Sequence, residues 1–268
     1  MSCKPSSRPS ISSAAYAILV LAAALLMSPV DAGAQLKVII SGGFSGAYEQ
    51  LLPEFERSSG VKVTTGSGAS QGSGPQTIAS QLARGVTYDV VIMSREGLDE
   101  LTAANRIAAG TAADLAQVPL GVGVRAGAPK PDVSNVEAFK RTVTSARLVA
   151  VPASTGGIFL TKEILPRLGI ADKVNIRATP RGTGATDLVA AGEADLAVMP
   201  VSEILRAPGV DFAGAIPREI QLIQVFSAAI VAGSSERDAG RRLIEFLTSP
   251  RAAEAIRKSG MEPLGAKR

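Results

Sequence analysis

The chain has no histidine, no tryptophan and a single cysteine, Cys3, in 268 residues. Without an imidazole there can be no Ser-His-Asp triad and no Cys-His pair. Zinc, copper and haem sites lose their usual nitrogen and sulfur ligands, so neither a metal nor a cofactor is expected. Nucleotide fingerprints are missing too. After Gly66 and Gly68 a dinucleotide motif needs glycine at position 71, where Gln71 stands, and no Gly-Lys-Ser/Thr follows any strand. The net charge of +4 is spread without a basic block, so nucleic acid is not an expected partner. What chemistry there is must come from carboxylates, Lys, Tyr, hydroxyls and backbone amides.

The one long apolar run, residues 14–27, follows Lys4 and Arg8 and precedes Ala32-Gly33-Ala34. A basic start, a short apolar stretch and an A-x-A site describe a secretory signal. The run is short for a membrane span, which takes roughly 20 residues. Cleavage after Ala34, with residues 1–34 as signal peptide, and a periplasmic location are therefore expected. Cys3 precedes the apolar run, so it cannot be a lipid-carrying cysteine behind it, and the mature chain would carry no thiol.

Beyond Ala34, apolar runs alternate with helical periodicities. Strands are expected at 36–40, 61–64, 89–93, 121–124, 148–151, 196–199 and 220–231. Helices are expected from about 45 to 59, with Pro53 marking a kink or restart, and at 76–84, 96–104, 136–143, 156–168, 184–191, 239–247 and 252–258. The Gly- and Ser-rich stretch 66–75 reads as a loop. Repeated strand-helix units of this kind imply an α/β fold with parallel-type sheets covered on both faces.

Four strand-to-helix turns combine glycine with small hydroxyl residues: Gly43-Phe44-Ser45-Gly46, Ser70-Gln71-Gly72, Ser154-Thr155-Gly156-Gly157 and Arg181-Gly182-Thr183-Gly184. The first amides of a helix have no internal partner, and the helix dipole adds partial positive charge there. Glycine admits a ligand to the backbone and a hydroxyl adds a donor, so such turns suit an anion. Capping alone would also place these residue types there. The residues singled out as ligand-binding are Gly43, Phe44, Ser45, Ser70, Gln71, Thr155, Gly156, Arg181, Gly182 and Thr183, and no residue stands out as catalytic.

These turns, in this order, resemble the periplasmic molybdate-binding proteins of ABC importers and their wider solute-binding family. The likeness also runs through Tyr88-Asp89-Val90-Val91-Ile92-Met93, Ala191-Gly192-Glu193-Ala194-Asp195, Ala207-Pro208-Gly209-Val210 and Phe246-Leu247-Thr248-Ser249-Pro250. It implies a type II two-lobed periplasmic binding protein fold, each lobe a mixed sheet flanked by helices. Lobe one would be 35–119 plus 226–268 and lobe two 120–225, with crossings near 119–124 and 223–227. It also implies a monomer. The family's first hydroxyl position falls on Gly43 and its tyrosine near Met199-Pro200, which departs from the molybdate pattern. A Gly-Gly-Phe turn and Val201-Ser202-Glu203 place the chain nearer a subgroup similar to aconitate isomerase.

Two functions are compatible with this reading. The first is capture of a small anion, an oxyanion or a carboxylate, between the lobes for an ABC permease in the inner membrane. Neutral amides and hydroxyls suffice for that. The alternative is isomerisation of trans- and cis-aconitate, which needs a base to take an allylic proton and return it elsewhere. Its candidates are Glu203, Tyr48, Glu96 and Asp187, with Arg181 and Arg95 as carboxylate clamps. Glu203 reads from sequence as a solvated helix residue.

Overall fold

The computed structural model describes Met1 and residues 35–265. The expected signal peptide, apart from Met1, lies outside the described residues. Ten strands are arranged in the order β2-β1-β3-β9-β4-β7-β5-β6, with β8 and β10 attached to β4. In sequence these are β1 (Gln35–Ile40), β2 (Lys62–Ser67), β3 (Val90–Ser94), β4 (Ala113–Arg125), β5 (Val149–Pro152), β6 (Ile176–Thr179), β7 (Leu196–Pro200), β8 (Val210–Ala215), β9 (Ile223–Ile230) and β10 (Glu262–Pro263).

Each half of the sheet is buried on both faces, which is why its strands read as unbroken apolar runs. Leu36, Val38, Ile40, Val90 and Ile92 face one core while Ile39, Val91 and Met93 face another. The second half repeats the pattern, with Val149, Val151 and Val198 on one side and Ala150, Ala197 and Met199 on the other. The period of two along the central strands thus serves two layers at once.

The halves meet through β4 and β9, which pair antiparallel with Pro119 opposite Ile223. Along β4, Leu115, Ala116 and Val118 belong to the first half's core and Leu120, Val122 and Val124 to the second's. Phe226, Ala228 and Ile230 of β9 return to the first. The result is a two-lobed α/β molecule with two chain crossings. β1 runs parallel to β2 and β3, and β5 runs parallel to β6 and β7. β9 and β4 run against their neighbours. Strand-helix alternation alone pointed to parallel sheets, and the two long crossing strands make each lobe mixed.

The helices are α1 (Gly42–Ser59), α2 (Ile78–Ala83), α3 (Arg95–Ala103), α4 (Val136–Ser145), α5 (Thr155–Phe159), α6 (Gly182–Ala190), α7 (Val201–Ile204), α8 (Arg237–Thr248) and α9 (Ala253–Lys258). α5 runs on through a π-helical stretch, Leu160–Ile164, into Leu165–Arg167. α1 differs most from its expectation. It starts at Gly42 rather than near Ser45, and it continues through Pro53 without a restart. The two glycines are helical residues packed too tightly for side chains: a Cβ at Gly43 would run into the Phe226 ring. Strands β6 and β8 went unread because both are half-exposed and carry no apolar run. No helix among the described residues is long and apolar enough to cross a membrane.

Candidate functional site

The carboxyl ends of β1, β5, β6 and β7 all point toward the junction of the lobes, and the helices that follow them begin there. Their turns line one tight cavity of about 30 Å³, together with Gly68, Ala69 and Ser70 from the loop after β2. All four glycine-bearing turns singled out from the sequence reach it, two from each lobe. Gly43, Ser70, Gly156, Arg181, Gly182 and Thr183 line its wall. An outer vestibule of about 430 Å³ adjoins it, lined in part by Ser45 and Asp187. Gly42, Arg181, Gly182, Thr183 and Glu203 border both spaces and so form the throat between them.

The remaining expected residues do other things. Phe44 is buried in the first lobe's core and does not line the cavity. Gln71 and Thr155 tie the lobes together beside it. Thr155 Oγ1 donates to Gln71 Oε1 at 2.8 Å and meets Ser94 Oγ at 2.8 Å, while Gln71 N donates to Ser154 Oγ at 3.3 Å. Gly72, at φ +110°, lets this loop approach so closely that a Cβ would collide with the Ala153 carbonyl. Arg181 reaches across the throat to donate to Ser67 Oγ at 2.5 Å.

Four helices start at the cavity without a side-chain cap: α1 after Ser41, α5 after Ser154, α6 after Arg181 and the single turn of α7 after Pro200. Of these only α7 has an acidic residue in its first turn, Glu203. The leading amides of α1, α5 and α6 therefore present partial positive charge to the space between them.

The carboxylate at this site comes from that fourth helix. Glu203 lies in the single turn of α7, which follows β7 and packs on α1. Ser202 Oγ donates to the Gly43 carbonyl at 2.7 Å, and Arg206 binds Ser45 Oγ and both oxygens of Glu49. These contacts fix the turn so that the Glu203 carboxyl lies between the starts of α1 and α6. A Cβ on either Gly42 or Gly182 would collide with its Oε2. Burial pushes the Glu203 carboxyl up to about 7, against the pull of the Arg181 and Arg206 guanidinia. From its sequence context Glu203, a candidate base, reads as a solvated helix residue. Beside the Val201-Ser202-Glu203 resemblance, a readable signal is that Pro200-Val201-Ser202-Glu203 is a fifth strand-end and helix-start.

The other candidate bases are placed differently. Tyr48 is buried, paired with Thr65 Oγ1 at 2.9 Å, and burial pushes its phenol up to about 12. Asp187 is exposed on the vestibule. Glu96 is outside the cavity lining, and Arg95 is engaged by Asp114 and Asp99. Among the described residues no cluster of three or more His, Cys, Asp or Glu could hold a metal ion.

Two further residues at the cavity were missed: Ser41, ahead of α1, and Gln224, inside the apolar run of β9. Both are buried, and neither Ser41 Oγ nor Gln224 Oε1 has a hydrogen-bond partner among the described residues.

Comparison with known proteins adds the lineage. The chain is 38% identical over 257 residues to an aconitate isomerase from Pseudomonas sp, covering 92% of this chain and 97% of that one. Its fold is similar to that of the periplasmic molybdate-binding protein of Azotobacter vinelandii, with a TM-score of 0.69 at 23% identity over 84% of this chain and 98% of that one. The sulfate-binding protein of Mycobacterium tuberculosis also has a TM-score of 0.69, at 19% identity over 86% and 87% of the two chains. The profile of the family described as bacterial extracellular solute-binding protein matches residues 36–262. With four anion-suited turns from two lobes converging on one cavity, and that match spanning both lobes, this chain belongs to the bacterial extracellular solute-binding proteins.

Proposed function

We propose that this chain shifts the double bond of a small unsaturated polycarboxylate, as in the interconversion of trans- and cis-aconitate, with Glu203 carrying the proton. The observation behind this reading is the Glu203 carboxyl itself, held at the throat of the cavity between the beginnings of α1 and α6. A site that only grips an anion gains nothing from a carboxylate set against its guest. A site that moves a proton needs one, with an affinity for protons matched to neutral pH. Burial brings Glu203 to about 7, the range in which one group both accepts and returns a proton. The 38% identity to an aconitate isomerase over nearly the whole chain supports the same substrate class.

The chemistry then runs as a 1,3-proton shift. Ionised Glu203 takes a proton from the carbon flanking the double bond. The electron pair spreads over the three-carbon unit and its carboxyl groups. Protonated Glu203 returns the proton to the far carbon, and the double bond forms in its new position. Charge developing on the substrate's carboxyl oxygens is met by the open amides of α1, α5 and α6 and by Arg181. Lobe one (35–119 plus 226–268) and lobe two (120–225) would close around the substrate by bending at the β4 and β9 crossings. The protein would work as a monomer in the periplasm after removal of residues 1–34.

A secretory signal and the amide- and Arg181-lined cavity also fit a carrier that hands an anion to an ABC permease. Proton NMR of trans-aconitate in D₂O separates the two. The isomerase reading expects cis-aconitate to appear, with deuterium entering the carbon that gains the proton to the extent that protonated Glu203 exchanges with solvent before returning it. If calorimetry finds trans-aconitate bound but hours of incubation yield no cis product, the carrier reading replaces it.

A further inference from the structure

Glu203 and Arg181 account for the throat of the site, but not for what lies deeper. Ser41 and Gln224 are each only 4% exposed, yet Ser41 Oγ and Gln224 Oε1 have no partner among the described residues. Leaving such an atom unpaired costs about as much as a hydrogen bond contributes, so two at one spot call for an explanation. Both line the same cavity, and neither borders the vestibule. Ser41 stands where a serine would normally cap α1, and its hydroxyl does not do so. Gln224 sits on the crossing strand β9, its backbone in register with Val118 of β4, so the strand is paired and only the side chain is free. A Cβ on Gly156, the second residue of α5, would lie 3.6 Å from Gln224 Oε1. The Phe226 ring, over Gly43, forms another part of the wall.

We infer that Ser41 and Gln224 form an inner subsite that holds the end of the ligand away from Glu203, a carboxyl group bound through neutral hydrogen bonds. The Ser41 hydroxyl donates to one carboxyl oxygen. The Gln224 amide offers its NH₂ to a carboxylate or its carbonyl to a protonated acid, since a half-turn of the amide exchanges them. The remaining carboxyl groups stay at the throat, where Arg181 and the starts of α1 and α6 meet them. Division into a neutral inner end and a cationic outer end selects an elongated polycarboxylate and orients it, so that its middle carbons face Glu203. Gln224 is then a specificity-determining residue. The inference rests on the isomerase reading for the identity of the substrate, and not for the existence of the subsite.

The test is Gln224→Met, which keeps length and apolar bulk, beside Ser41→Ala. For trans-aconitate the KM should rise roughly 10- to 100-fold, the value of a hydrogen bond to a charged group. The fall in kcat should be smaller than the rise in KM, because the contact is remote from the moving proton. The ligand-free thermal midpoint should stay level or rise, since an unpaired polar atom has been removed. A lower midpoint with unchanged KM would show that Gln224 is a structural residue and overturn the inference. Failure of the isomerase reading looks different: the parent binds trans-aconitate, molybdate or sulfate in calorimetry without converting aconitate, and Gln224→Met still weakens that binding. A variant that binds the same probe as tightly as the parent overturns the subsite in either case.

Discussion

Two sets of helix beginnings in this molecule contrast, although capping does not divide cleanly by place. α8 and α9 lack a side-chain cap away from the cavity, and α7 starts at the cavity wall uncapped but with Glu203 in its first turn. Away from the cavity wall, Thr77 caps α2, Ser94 caps α3 and Asn135 caps α4, each side chain accepting from an amide of the first turn. α3, α4 and α8 also carry an acidic residue there: Glu96, Glu137 and Asp238. At the cavity, α1, α5 and α6 have neither cap nor acid, although Ser41 and Ser154 occupy the capping positions. The same residue types are thus used in opposite ways. A cap contributes about 1 kcal/mol, and three helices forgo it where their amides face one shared space. Open amides gathered at the junction of two lobes are what the proposed capture of a negatively charged substrate would use.

The sharpest way to break the comparison is to remove the charge that intrudes on it. Glu203→Gln keeps the shape and takes away the proton carrier. A fall in kcat of about 10²- to 10⁴-fold is expected, the usual worth of a positioned acid-base group. The parent's kcat/KM should rise as pH increases through about 7, because burial raises the Glu203 carboxyl and only its ionised form accepts a proton. The variant should lack that limb. Trans-aconitate should bind the variant at least as tightly, since a like charge has gone. A variant that retains both its turnover and its acid limb would remove Glu203 from the chemistry.

A smaller effect is expected from moving the carboxyl instead of deleting it. Gly182→Ala places a methyl group against Glu203 Oε2 and against the Met199 side chain. Displacement of a catalytic group by about 1 Å costs on the order of 10²-fold in rate. Gly74→Ala is the control, because nothing lies within 4 Å of a Cβ there. Equal activity in the two variants would mean that the close approach of Glu203 to α6 does not matter.

The same contrast explains what could be read from the sequence. Strands such as Val90–Ser94 and Leu196–Pro200 were legible because burial on both faces leaves an unbroken apolar run. The four turns were legible because glycine and hydroxyl residues recur at four strand ends, two in each half of the chain, although capping alone would explain any one of them. β6 and β8 were not, having one half-exposed face and no run. The start of α1 was misplaced because two glycines look like a turn until the Phe226 ring and the Glu203 carboxyl are seen against them. Glu203 and Gln224 acquire meaning only through neighbours far along the chain. A glutamine inside the apolar run of β9 was nonetheless a visible signal, since a polar side chain in a strand buried on both faces needs a partner.

The mildest prediction bears directly on the two groups of helix starts. Asn135→Ala removes a working cap from α4, where Asn135 Oδ1 accepts from Ala138 N at 2.9 Å. It should cost about 1 kcal/mol, a fall of roughly 2–4 °C in thermal midpoint for a chain of this size. It should leave the affinity for trans-aconitate unchanged, because α4 lines neither space at the lobe junction. Ser41→Ala removes a hydroxyl from the same position of α1, but that hydroxyl caps nothing. The ligand-free midpoint should not fall, and the loss should appear only as weaker binding of trans-aconitate. Each substitution is then silent in the measurement to which the other responds. If Ser41→Ala lowered the midpoint as far as Asn135→Ala and left binding intact, Ser41 would be an ordinary cap, and the open amides of α1 would no longer stand apart from those of α4.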